Sequence, residues 1–275
     1  MDEVKLPIMI MAGTGKDDPD ELLNYANVKY KSLIKLNGET MLELILKAAF
    51  STGMFTRYYI LGLPEDVVVL PAEMNKEDVV ALHLEDRTVP ERLDGATKYI
   101  LKEAETNPNI FPGKTKHGLL LAGDIPFITG EIIQKFVRRI QKFDRDFYPA
   151  AVKKEYMVQR FPKSSRTYGK TKEGLFCIAD ISSFDYSLIA DRIPTIKIIR
   201  QNRKKFLRVI FRTKPSILLK YIFKRMSVAE IEDVTLKVLR TKTTFILMDT
   251  PEIAMDIDKP HQLDMAIEEF AKLGA

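Results

Sequence analysis

The chain has 275 residues, 45% of them apolar and 29% charged, a balance that buries a substantial core and excludes disorder, collagen or coiled coil as the whole answer. It contains no run of 18 apolar residues that would suggest a membrane span, and its single cysteine, Cys177, excludes an internal disulfide. The net charge of +5 hides an asymmetry: twelve basic and no acidic residues lie between Arg192 and Ala229, so the rest of the chain carries −7. Such a block points to a local role, such as holding an anionic substrate, a membrane surface or nucleic acid, or else to a solvated helix face. His83, His117 and His261 are far apart and no Cys/His cluster has zinc spacing. The first residues lack the layout of a signal peptide, and together with the cysteine count this points to a reducing cytoplasm.

Taken in order, Leu6 to Met11 reads as a buried strand that ends in Ala12-Gly13-Thr14-Gly15. Thr40 to Phe50 reads as a helix, Tyr58 to Leu63 and Val79 to Leu84 as strands, and Glu91 to Ala104 as a helix. Gly118 to Ala122 is a short apolar run closed by Gly123-Asp124, and a helix from Thr129 to Phe143 follows, with Thr129 as its cap. Ala150 to Lys153 and Leu175 to Ile178 are strand-like, with a polar loop from Phe161 to Lys172 between them. Ile196 to Arg240 is mostly helical, broken at Lys214-Pro215, and Ile217 to Met226 is apolar on more than one face. Thr243 to Met248 returns to a strand pattern, and His261 to Lys272 is a last helix. Alternating strands and helices predict a three-layer α/β/α fold with a mainly parallel, Rossmann-like sheet. We expect one domain over residues 1–275, with a basic helical insertion at about 192–240. Sites in such sheets lie at the carboxyl ends of strands, where Gly13 and Asp124 fall.

Several residues there suit phosphate chemistry. Glycines after a strand let backbone N–H groups of residues 13 to 15 approach phosphates closely, although a tight turn is the plain alternative. The loop is neither a Walker A motif, which would need Gly at Ile10, nor a Gly-x-Gly-x-x-Gly motif, because Asp18 takes the third glycine's place. Lys31 precedes the apolar stretch to Leu36 and the helix entry Gly38-Glu39-Thr40-Met41-Leu42. Magnesium prefers one or two carboxylates plus phosphate oxygens and water, and Asp124 and Asp258 offer such a pair, with Asp256 behind them. The plainer readings are a surface lysine at 31, a turn carboxylate at 124 and a helix N-cap at 258.

Taken together, Met11-Ala12-Gly13-Thr14, Lys31, Gly38 to Leu42, Gly123-Asp124-Ile125-Pro126 and Asp256-Ile257-Asp258-Lys259-Pro260-His261-Gln262-Leu263 form an ordered set. It resembles the MobA-like nucleotidyltransferases, which include molybdenum-cofactor guanylyltransferases and sugar- and polyol-phosphate cytidylyltransferases. The resemblance covers residues 6 to 272 and departs from the family's pattern at three points. Thr14 replaces the second glycine of Leu-Ala-Gly-Gly, no arginine lies between Gly15 and Val28, and Gln262 stands where the family has its final aspartate. It implies a triphosphate held by Ala12, Gly13, Thr14, Gly15 and Lys31, with Gly95 against the base. It further implies Mg2+ on Asp124 and Asp258, and Lys31 and Asp124 as the catalytic pair.

The function expected on this basis is magnesium-dependent transfer of a nucleoside monophosphate from a nucleoside triphosphate to a small anionic acceptor, with release of pyrophosphate. The acceptor would be a phosphorylated polyol, a sugar or a cofactor. Two alternatives stay open: a glycosyltransferase using a nucleotide sugar, and a non-catalytic protein that binds an anionic lipid or partner through the basic stretch. The apolar Ile217 to Met226 is compatible with transient membrane contact, a lipid-linked acceptor or a homodimer interface. No recognised nucleic-acid motif accompanies the charge, so no nucleic-acid partner is expected.

Overall fold

The computed structural model describes residues 5–14, 20–84, 87–113, 115–188, 191–192 and 226–273. Gly15 and residues 193–225, which hold most of the basic stretch and of its helical reading, lie outside the described residues.

Strand β1 (Leu6–Met11) leads through α1 (Asp20–Ala26) and a 3-10 turn at Lys31–Leu33 to a small hairpin, β2 (Lys35–Leu36) and β3 (Glu39–Thr40). Then come α2 (Met41–Phe50), β4 (Phe55–Leu61), β5 (Val79–Leu82), α3 (Val89–Thr106), β6 (His117–Ala122) and α4 (Gly130–Ile140). The second half runs β7 (Phe147–Lys153), α5 (Lys154–Arg160), β8 (Gly169–Thr171), β9 (Gly174–Asp185), α6 (Val228–Leu239), β10 (Ile246–Met248) and α7 (Pro260–Leu273). Helix starts follow local chemistry. The Thr40 hydroxyl accepts from the Glu43 N–H and the Glu43 carboxylate accepts from the Thr40 N–H, closing a capping box, while Thr129 caps α4 by accepting from Ile132. Such caps are worth about 1 kcal/mol each.

The eight-stranded sheet has the order β10-β7-β9-β6-β1-β4-β5, with β8 paired to β9. β5, β4, β1 and β6 are mutually parallel, and β10 is parallel to β7. β9 runs antiparallel to both β6 and β7, so the sheet is mixed, with a reversed strand at its centre. That strand is also much longer than the expected Leu175 to Ile178. Its later part, Asp180 to Asp185, carries Ser182, Ser183 and two aspartates, which break the apolar pattern.

Alternation along β1 divides the core. Ile8 and Ile10 point to the face covered by α2 and α4, where Met41, Ile45, Ile133 and Phe136 are fully buried. Met9 points to the other face, where it meets Tyr59, Leu61 and the α3 residues Ala96 and Ile100. Helices on both faces of one sheet make the three-layer α/β/α architecture. Register then sets the site: Met11 pairs with Leu61 on one side and with Ala122 on the other. The residues after β1, β4 and β6 therefore emerge at one level.

Candidate active site

After β1 the chain is held by its backbone. The N–H groups of Ala12 and Gly13 both donate to the Leu61 carbonyl, at 3.0 and 2.9 Å. A Cβ on Gly13 would lie 2.5 Å from the Gly62 Cα, and Gly62 itself has φ +90, so two glycines are needed where β1 and β4 end. From α3, the buried Arg92, 2% exposed, donates through Nη1 to the Gly13 carbonyl at 2.9 Å and through Nη2 to the Thr14 carbonyl. The Thr14 hydroxyl donates to the Lys29 carbonyl at 3.3 Å. The expectation that the Gly13 amide faces phosphate is corrected here: that N–H is taken by Leu61, as is that of Ala12. These residues shape the loop. Arg92 thus places an arginine against the loop, although none lies between Gly15 and Val28, from a position the sequence motifs did not single out.

Lys31 begins the 3-10 turn, and the hydroxyl of its buried neighbour Ser32 donates to the Ala12 carbonyl at 2.6 Å, fastening the turn to the loop. The Lys31 ammonium lies between two carboxylates. It meets Asp124 Oδ2 and donates to Asp258 Oδ1 at 2.5 Å. Burial alone would lower its pKa, but the charges of Asp124 and Asp258 outweigh that and raise it, so the ammonium is permanent. Burial would likewise raise Asp258, and the Lys31 ammonium instead holds it below the usual carboxylate value.

Asp124 follows β6 by two residues, and Gly123 ties that turn to β1 by donating to the Met11 carbonyl at 2.9 Å. The Asp124 carbonyl accepts from the Ile257 N–H at 3.0 Å, which joins the two aspartate segments through the backbone. Asp258, read from the sequence as a partner of Asp124 at the end of a separate strand, does not end one; it lies between the 3-10 turn Pro251–Ala254 and α7. Nor does it cap that helix. The Gln262 side chain accepts from the N–H groups of Asp258 and Lys259 at 2.9 and 2.8 Å, which leaves the Asp258 carboxylate to Lys31 and Asp256. Gln262 thus has a structural role at the position where the resembled family has an aspartate.

Behind this pair lies a second ion cluster. Arg166, in the loop before β8, meets Asp256 at 2.5 Å, Asp180 of β9 at 3.1 Å and the Ile178 carbonyl at 2.7 Å. Burial pushes Asp180 up to about 7 and Asp256 up to about 6; neighbouring carboxylates add to this, and Arg166 offsets only part of it. The polar loop and the lone Asp180 gave no motif by which to find this cluster, because its members come from separate segments. Gly95, expected against a nucleotide base, lies on α3 facing the side chains of Leu84 and Arg87. Beside Asp256 and Asp258 opens a cleft of about 590 Å³ between α6 and the sheet.

Among the described residues, no helix is long and apolar enough to cross a membrane. No protein-family model and no curated protein matches the sequence. Solved structures do match in three dimensions. A hypothetical transferase from Thermus thermophilus superposes with a TM-score of 0.72 over 94% of this chain and 100% of that one, at 22% identity. A CMP:2-keto-3-deoxy-manno-octonic acid synthetase complexed with CTP gives 0.55 at 11% identity, over 98% and 99% of the two chains. A 4-diphosphocytidyl-2C-methyl-D-erythritol synthase from Anaerococcus prevotii gives 0.52 at 12%, over 98% and 100%. The described residues therefore have the Rossmann-like α/β/α fold of these proteins.

Proposed function

We propose that the chain is a nucleotidyltransferase of MobA-like type, moving a nucleoside monophosphate from a triphosphate to a small anionic acceptor with release of pyrophosphate. The observation that carries this reading is the convergence of Lys31, Asp124 and Asp258 at the strand ends, although Lys31 and Asp258 lie 227 positions apart in the chain. The three-dimensional likeness to a synthetase solved with CTP supports it.

The residues fit a magnesium ion. Among the described residues no group of three or more His, Cys, Asp or Glu is arranged to hold a metal. Magnesium, however, takes one or two carboxylates and completes its shell with phosphate oxygens and water. Asp124 Oδ1 is buried and has no hydrogen-bond partner among the described residues, an oxygen available to a cation. Asp258 shares the Lys31 ammonium with Asp124, so both carboxylates reach one small cation. Around them four carboxylates (Asp124, Asp180, Asp256, Asp258) face two cations, Lys31 and Arg166. Such an acidic pocket accepts a triphosphate far better with a divalent ion than without one. Asp124 and Asp258 would hold that ion, which would act as a Lewis acid and a template.

Transfer is an attack on the α-phosphorus, and the protein serves mainly to position the reactants and to stabilise developing charge. Lys31 brings a fixed positive charge to the phosphates. Arg92 keeps the Gly13 and Thr14 carbonyls turned away from them, and the Ser32 bond holds Lys31 against the same loop.

Thermal unfolding with each of the four nucleoside triphosphates and magnesium tests the reading. One of them is expected to stabilise the protein by about 2.7 kcal/mol at roughly 100-fold saturation. Pyrophosphate release should drop about 10²–10³-fold in Lys31→Met and in Asp124→Asn. Release of a nucleoside diphosphate from a nucleotide sugar would favour glycosyl transfer instead, and an absence of any nucleotide effect would defeat both.

A further inference from the structure

The cleft beside the carboxylates is unusual in how it is kept open. Helix α6 is fastened at its start, where Lys172 donates to the Met226 carbonyl at 3.0 Å and Val228 donates to Glu173 at 3.2 Å. It is fastened again where the Phe245 N–H donates to Glu232 at 2.8 Å. Between these ties, Val228 and Ile231 of α6 stand across from Phe176, Ile178, Phe245 and Leu247 on the sheet side. Apolar walls in water normally close on each other. Here they remain apart, with Ile178 56% and Leu247 39% exposed. The volume of about 590 Å³ suits a small molecule.

The cleft is also mixed in character. Beside the apolar residues the lining includes Asp256, Asp258, Lys259, Gln262, Arg166 and the hydroxyls of Ser165, Thr167 and Thr171. From this we infer, resting on the nucleotidyl-transfer reading, that the cleft receives the acceptor and that the acceptor is amphipathic: a phosphate monoester carrying an apolar body. A phosphorylated polyol would bring several hydroxyls against the apolar part of the lining (Phe176, Ile178, Val228, Ile231, Phe245 and Leu247), at a cost for each group left unpaired there. An alkyl, prenyl or aromatic body removes that surface from water instead. Its phosphate would lie against the polar part of the lining, within reach of Lys259 and next to Asp258. A phosphate oxygen of the acceptor dianion then forms the new bond to the α-phosphorus. The bond between that phosphorus and the bridging oxygen breaks, and its electron pair leaves with pyrophosphate. No proton has to be removed.

Calorimetric titration of the full chain with octyl phosphate below its micelle concentration, and in parallel with glycerol 3-phosphate, tests this. Octyl phosphate is expected to bind at least tenfold more tightly. Ile178→Glu and Leu247→Glu, both at exposed positions, should each weaken octyl phosphate at least tenfold. Ile267→Glu on α7, 45% exposed and outside the cleft, should not. Equal affinity for the two phosphates, or cleft variants that bind octyl phosphate as the parent does, would overturn the inference. These titrations need no nucleotide, so their failure is separable from failure of the nucleotidyl-transfer reading, which the triphosphate stabilisation decides.

Discussion

The two sides of the strand-end surface hold their residues by different means. On the β1–β4 side, positions are set by backbone: carbonyls and amides pair between adjacent loops, two glycines touch, and the buried Arg92 binds main-chain carbonyls. On the β9–α7 side they are set by side-chain charges, with Arg166 between Asp180 and Asp256 and Lys31 between Asp124 and Asp258. The first arrangement is rigid and largely indifferent to pH. The second responds to protons and to any cation that enters, which on the proposed function suits the side where reactants would be bound and released.

The largest effect is expected where the backbone side depends on one side chain. Arg92→Leu removes the charged donors from two loop carbonyls, Gly13 and Thr14, in a buried setting. Hydrogen bonds from charged groups are worth about 1.5–3 kcal/mol each, and orphaned buried acceptors carry their own cost. Urea unfolding should show a loss of roughly 3 kcal/mol, and triphosphate affinity should fall with it. A variant of parental stability would mean that the Gly13–Gly62 contact holds the loop unaided.

The charged side should reveal itself through pH. Asp180 and Asp256 have folded-state values near 7 and 6, above the ordinary carboxylate value. Such groups bind more protons folded than unfolded, so their contribution is complete at low pH and is lost as pH rises from about 4 through 7. The parent should therefore lose stability across that window. Asp180→Asn keeps an oxygen for Arg166 but cannot ionise, and should flatten the slope. Chemical denaturation at pH 4.5, 6 and 7.5 (chosen as about evenly spaced points across that window) measures this, and a slope equal to the parent's would contradict the assignment.

These contrasts also explain what could be read from the sequence. β1, the helix beginning about Thr40, the Thr129 cap and the Gly123-Asp124 turn are written in consecutive residues, and all were expected at nearly the observed places. Lys31, Asp124 and Asp258 stood in motif-like surroundings, and the fold brings them together. Arg92 was not legible, because on a helix it resembles any charged residue until register places it 79 positions from its partner, under Gly13. Arg166 and Asp180 were hidden for the same reason. The reversed direction of β9 could not be seen either, since periodicity shows that a strand exists but not which way it runs. Gly13 matters through its lack of a side chain, which makes room for Gly62, and not through its amide, which belongs to Leu61.

The smallest effect is expected at the junction of the two modes. Gln262 is 4% exposed and accepts from the backbone of Asp258 and Lys259, so a side chain on α7 positions the main chain that carries a site carboxylate. Gln262→Ala removes a cap-like pair of bonds and should cost about 1 kcal/mol in urea unfolding. Its more informative consequence is local. With both amides released, Asp258 can turn its carboxylate toward the vacated helix start and cap α7 itself, loosening its bond to Lys31. Gln262→Glu keeps an accepting oxygen and should retain the stability that alanine loses. If alanine and glutamate behave alike, the two bonds are incidental, and the side-chain contacts with Lys31 and Asp256 keep Asp258 in place.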